Sequence, residues 1–207
     1  QNRKKALLYG CPDPALLEKL QESEELAQQE TLRVAVLFSG DTGFYSGCRK
    51  LYAELQEAIA AGQLRGSVRI LPGISSVVSL AARVGESYED AAILSMHGKK
   101  LNRLAATVES HEKVFLLTSG CEDIRKIGQT LTEAGLGDCE VIAGYQLSYP
   151  EENIRILTPE QCEEVTEEGL YTCLIRNPHP QPEPLTHGRA DTCFLRDASG
   201  TEGKLRR

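Results

Sequence analysis

The chain has 207 residues, 41% hydrophobic and 26% charged, with a formal net charge of -7. That length fits one large domain or two small ones with a real core, and the balance is that of a globular chain. Acidity disfavours nucleic acid, and no apolar run approaches the roughly 20 residues of a membrane-spanning helix, so neither nucleic acid nor membrane is an expected partner.

The opening residues 1–5 are basic and lead only into a short apolar patch, so no secretory signal is expected. Residues 6–9 suit a short strand and 14–29 a polar, glutamate-rich helix. An α/β domain normally starts on a stronger strand with its own turn, so the chain is expected to begin inside its domain. Seven cysteines, at 11, 48, 121, 139, 162, 173 and 193, form an odd set with no CxxC pair. This argues against a zinc site or a disulfide framework. It favours reduced thiols in a cytoplasm, most of them small buried hydrophobes, and no metal.

Residues 34–38 are short and β-branched enough for a buried parallel strand. A glycine-rich stretch, residues 39–47, follows, and then Leu51, Leu55 and Ile59 recur at helical spacing. Strand, glycine turn, helix is the unit with which α/β proteins hold a cofactor, though the same glycines also serve a plain tight turn. The stretch is neither a Walker loop nor a GxGxxG fingerprint.

Residues 67–71 read as a second strand entering a Pro72-Gly73 turn, and 77–84 as a helix stopped by Gly85. A third strand is expected at 91–95, a helix over 101–112, a strand at 114–118 and a helix over 123–134 capped by Gly135. Strands then crowd at 140–147, 154–157 and 170–176, with a short acidic helix over 159–168. The pattern predicts an α/β fold with a parallel first half and a mixed-sheet second half. The expected division is 1–96 as an N-terminal α/β subdomain incomplete at its start, 97–178 as a mixed-sheet subdomain, and 179–207 as a proline-containing tail.

In one parallel sheet, the strand ends at 39–41, 73–76 and 117–119 would share an edge, where open α/β folds bind ligands. Asp41 there can hold an amino group or a ribose hydroxyl, or cap the following helix. His97 is the one histidine at a suggestive place, with a structural hydrogen bond as the plain alternative. No Ser/His/Asp order, carboxylate pair or metal cluster stands out. That favours chemistry done by a bound cofactor which the protein positions.

SGDTGFYS at 39–46, ILPGISSVVSLAARVG at 70–85, ILSMHGKK at 93–100 and YPEENIR at 149–155 occur in this order. Together they resemble the tetrapyrrole (corrin/porphyrin) methylases, across residues 32–176, and within them the carbon-5 methylases of precorrin-6Y and cobalt-precorrin-7. The resemblance implies two α/β subdomains with S-adenosylmethionine (SAM) in the cleft between them, usually in a homodimer. Carried over by motif, Ser39, Gly40, Asp41, Phe44, Ser75 and Ser76 line the cofactor, with Leu117 and Thr118 as a looser match. His97 and Gly98 fall at the cleft.

The implied reaction is carbon-5 methylation of a precorrin in cobalamin biosynthesis, releasing S-adenosylhomocysteine. It needs alignment and exclusion of water more than acid or base, and no catalytic residue is assigned. A precorrin's carboxylates call for a local basic rim: Lys99, Lys100 and Arg103, with Arg49, Lys50 and Arg83 behind them. The tail from His187 resembles the junction to a decarboxylating carbon-15 methylase, a further expected partner. The family's opening strand and Gly-x-Gly-Pro-Gly loop have no counterpart, so both are expected to be missing. The rivals are a methylase of this fold acting on diphthamide or ribosomal RNA, a non-catalytic half that pairs with a carbon-15 methylase, and an unrelated nucleotide-binding domain.

Overall fold

The computed structural model describes residues 7–9, 15–26, 33–96 and 103–181. Strand β1 (Leu7–Tyr9), helix α1 (Leu16–Leu26) and strand β2 (Ala35–Leu37) form a small parallel βαβ unit, with Leu7 opposite Ala35 and Tyr9 opposite Leu37. Helix α2 (Cys48–Ala60) turns Cys48, Leu51, Leu55 and Ala58 inward at helical spacing. These pack with Leu16 of α1, with Leu64, and with half-buried Val36 and Phe38.

Helix α3 (Ser76–Val84) starts on Ser75, whose side chain accepts from the Val78 N–H, and ends on left-handed Gly85. Strand β3 (Ala92–Ser95), helix α4 (Leu104–Ser110), strand β4 (Lys113–Leu117), helix α5 (Cys121–Glu133), strands β5 (Glu140–Tyr145) and β6 (Asn153–Leu157), a 3-10 turn (Glu160–Glu164) and strand β7 (Tyr171–Arg176) follow. The last five strands form one sheet in the order β3-β4-β7-β5-β6.

Helices cover both faces of that sheet, so its strands are written as near-continuous apolar runs. Phe115, Ile142 and Leu174 point to α3 and meet Val77, Leu80 and Ala81. Their chain neighbours Val114, Leu116, Val141, Ala143, Cys173 and Ile175 point the other way, into Leu104, Val108, Ile124, Ile127 and Leu131. Gly128 lets α5 lie on the 3-10 turn, since a β-carbon there would collide with the Pro159 carbonyl oxygen. The five described cysteines are buried and unbridged, and burial pushes Cys139 up to about 11 and Cys162 up to about 12.

Several expectations need correcting. Residues 67–71 form no strand: they are irregular, with Ile70 and Leu71 exposed. β2 pairs only with β1 among the described residues, so 67–71 has no ladder to join, and a strand without one is not stable. β2 is parallel as expected but not buried; Val34 and Leu37, on either side of half-buried Val36, stay exposed. β3 does not join β2, although its pairing with β4 is parallel as expected. It lies in the five-stranded sheet, where the β4–β7, β5–β7 and β5–β6 contacts are all antiparallel. The acidic segment 159–168 contributes only the 3-10 turn.

Candidate functional site

The glycine-rich stretch leaves β2 through Gly40, whose φ of 75° is left-handed, a conformation that suits glycine. The Gly43 N–H then donates to the Asp41 carboxylate at 2.6 Å, and the Phe44 N–H donates to the Asp41 carbonyl at 3.3 Å. This is a local turn closed by an aspartate side chain. It engages the carboxylate atom Oδ1 inside the turn, and Asp41 does not cap the following helix, which starts on Gly47 without a side-chain cap.

A second loop crosses the first. Thr42 Oγ1 donates to the Leu71 carbonyl at 2.9 Å. A β-carbon on Gly73 would collide with the Gly40 carbonyl oxygen and reach 3.5 Å from the Asp41 α-carbon. The two backbones therefore touch, and Gly73 is required by that approach rather than by its own φ. Beyond the crossing, Ser75 is 8% exposed and its Oγ accepts the Val78 N–H at 3.2 Å. A β-carbon on Gly40 would stand 4.0 Å from the Ser75 α-carbon, so the start of α3 lies against the glycine turn.

Phe44 extends from this turn to the α3 face of the large sheet, where it joins a cluster with Leu117 and Leu147. The structure thus brings together Gly40, Asp41, Phe44 and Ser75, places Ser39 and Ser76 next to them in the chain, and reaches Leu117 through the shared apolar cluster. The three strand ends, however, do not share one sheet edge. β2 and β4 belong to different sheets and 67–71 is not a strand; crossing loops do the joining. Thr118 is buried and its hydroxyl donates to the Tyr171 carbonyl at 2.8 Å, so that hydroxyl is already used inside the fold.

His97, Gly98, Lys99 and Lys100 lie outside the described residues. Arg103 is exposed where α4 begins. Arg83 is not free for a substrate: its guanidinium pairs with Glu152 and donates to the Ser79 carbonyl at 3.2 Å. The Arg83 hydrogen bond, with a further one from the Ser148 N–H, holds the Glu152 carboxyl below its usual range. Lys50 stands 3.7 Å from Glu54, one helical turn on, and both are well exposed.

Two features went unread in the sequence. Leu147 packs with Phe44, and Gly144 makes room for Leu80 and Leu147, either of which would crowd a β-carbon there. Tyr45 sits at a left-handed φ of 51° without being glycine or asparagine, a state no composition signal marks. Chemically, the arrangement offers a carboxylate, small hydroxyls and the start of α3, where one first-turn N–H, that of Val78, is taken by Ser75, beside an apolar wall.

The sequence model of the Tetrapyrrole (Corrin/Porphyrin) Methylases matches residues 12–162. The chain belongs to that family. It is 30% identical over 141 residues to "Probable cobalt-precorrin-7 C(5)-methyltransferase" of Methanocaldococcus jannaschii, covering 65% of this chain and 62% of that one. It is 25% identical over 185 residues to "Precorrin-6Y C(5,15)-methyltransferase [decarboxylating]" of a Sinorhizobium species, covering 88% of this chain and 43% of that one. It therefore spans less than two thirds of either relative. The crystal structure of uroporphyrin-III C-methyltransferase from Thermus thermophilus complexed with S-adenosylhomocysteine shares the methylase fold. Its TM-score is 0.54 at 16% identity, over 79% of this chain and 74% of that one.

Proposed function

We propose that the chain is a SAM-dependent C-methyltransferase acting at carbon 5 of a corrin-ring precursor, of the precorrin-6Y or cobalt-precorrin-7 type, in cobalamin biosynthesis. The observation that carries this is the contact of the Gly40 and Gly73 backbones beside Ser75, in a chain whose relatives bear those names. The donor set fits the cofactor: SAM has an amino-acid end and ribose hydroxyls, and supplies an electrophilic methyl on a sulfonium.

In this reading Ser39, Gly40, Asp41, Phe44, Ser75, Ser76, Leu117 and Thr118 contact the cofactor. Asp41 Oδ1 already accepts the Gly43 N–H, and Oδ2 takes an amino or hydroxyl donor. The first-turn N–H groups of α3 suit a carboxylate. Phe44, Leu117 and Leu147 keep water from the methyl's path, and the chain works by holding the reacting carbon in line. Lys99, Lys100 and Arg103 are the candidates for the substrate's carboxylates, and His97 and Gly98 belong to the cleft by motif with no role assigned. Two α/β subdomains, a homodimer and a cytoplasmic setting belong to the same reading, on the strength of the family resemblance.

A second reading has support of its own. The Sinorhizobium relative is named for both carbons 5 and 15 and is matched over 43% of its length, which favours a carbon-15 decarboxylating methylase as partner. Calorimetric titration with S-adenosylhomocysteine tests the first reading, with about one ligand bound per chain expected. A folded chain that takes up none overturns it. Transfer of labelled methyl to a precorrin by the chain alone separates an enzyme from a non-catalytic half.

A further inference from the structure

Large exposed apolar side chains are ordinary when scattered, as Tyr88, Tyr149, Ile156 and Leu170 are here on separate segments. Around the loop crossing they are not scattered. Val34, Leu37, Tyr45, Ile70, Leu71 and Ile74 all belong to the two stretches that meet at Gly40 and Gly73. Leu71 is 63% exposed, Ile74 69% and Tyr45 59%, and such a concentration beside a candidate site marks a binding surface.

Tyr45 is more than an uncovered ring. Its backbone is left-handed at φ 51°, which a bulky residue adopts only when its surroundings hold it there. The surroundings are visible: the Tyr45 ring meets the Phe44 ring edge-on, centroids 4.9 Å apart at 87°, and Phe44 is anchored in the α3 cluster. One half-buried aromatic ring rests on the core, and it braces the next one out into solvent.

We propose that Tyr45, with Leu71 and Ile74, forms the platform that receives the ring face of the tetrapyrrole substrate. The inference rests on the methylase reading and adds which side chains select the substrate. A corrin-type macrocycle has a broad apolar face ringed by carboxylates. The face suits an aromatic ring between aliphatic side chains, and the carboxylates are left to the rim. The platform adjoins the Gly40/Gly73 crossing, which puts a seated ring carbon close to the methyl group it must attack. An acidic chain gains ring affinity from such a surface without opposing the substrate's negative charge.

The test titrates the whole chain with cobyrinic acid, a stable corrin carboxylate, by its visible absorption, and with S-adenosylhomocysteine by calorimetry. Tyr45→Ala and Ile74→Ser are expected to weaken corrin binding at least tenfold and to leave the cofactor product's affinity within twofold. Tyr45→Phe, which keeps the ring, should bind like the parent. The proposal is overturned if Tyr45→Ala leaves corrin affinity unchanged, or if both affinities fall together, which would make Tyr45 a prop for the turn. It is equally overturned if the parent binds the product but no corrin, or if the substitutions change only the oligomeric state, which would make the patch a protein interface. A parent that takes corrin through Tyr45 but refuses S-adenosylhomocysteine supports the platform and overturns the cofactor reading instead.

Discussion

The five-stranded sheet and the glycine crossing are built on opposite terms. Phe115 and Leu174 are 0% exposed and Ile142 1%, with helices packed on both faces, whereas Val34 just before β2 and Leu37 at its end are 43% and 42% exposed. The sheet carries the stability, and the crossing holds backbone where a ligand can reach it. Binding segments come from the less stable part of a fold because they must leave groups unsatisfied. The two regions are joined through few side chains, chiefly Phe44 in the α3 cluster.

If that contrast holds, Phe115→Ala should cost about 3–5 kcal/mol in urea unfolding, as large-to-small changes in closed cores do. Leu37→Ala should stay within about 0.5 kcal/mol. Equal losses would mean that the β2 region shares the core. A sharper pair uses two glycines that both meet a carbonyl oxygen, Gly128 against Pro159 and Gly73 against Gly40. Gly128→Ala should lower stability by about 1–3 kcal/mol, because overpacking strains the core. Gly73→Ala should leave the urea midpoint nearly alone and weaken S-adenosylhomocysteine at least tenfold, about 1.4 kcal/mol. The reverse pattern would assign the crossing to the core.

The smallest expected effect concerns the Arg83–Glu152 pair, which fastens the β5–β6 turn to α3. Arg83 holds the folded-state Glu152 carboxyl below its ordinary value of 4.5, so its contribution is present above that value and lost as pH falls through the folded one. Glu152→Gln should therefore lower the melting temperature slightly at pH 7 and leave it unchanged once the parent's Glu152 is protonated in both the folded and the unfolded chain. The difference should also shrink with salt, as for other exposed pairs. A deficit that persists in acid would point to lost packing rather than lost charge.

Much of the large sheet was legible because strands buried on both faces appear as runs of apolar residues: 114–118, 140–147 and 170–176 were all read as strands. The helix stops at Gly85 and Gly135 were legible as well, since caps are local, while the start on Ser75 came slightly earlier than the 77 expected. Partnership was not legible. Residues 67–71 look as strand-like as 114–118, but a ladder needs a neighbour, and no local pattern supplies one. The same limit hid which sheet β3 joins, since its partner lies 22 positions on, Ala92 opposite Val114. At the candidate site, each glycine turn was visible and their contact was not, because Gly40 and Gly73 are far apart in sequence. Asp41 was left between cap and ligand; in the structure one of its oxygens closes the turn.

The sheet order has a consequence for how the chain is made. β7 is the last strand among the described residues and sits in the middle, between β4 and β5. Until residues 171–176 emerge from a ribosome, β3–β4 and β5–β6 are two separate ribbons, each with an open apolar edge. The final strand is the keystone, and it must insert between edges that could otherwise pair with a neighbouring nascent chain. Long-range closure of this kind is slow, so the interval before β7 arrives is when this fold most needs a chaperone's cover.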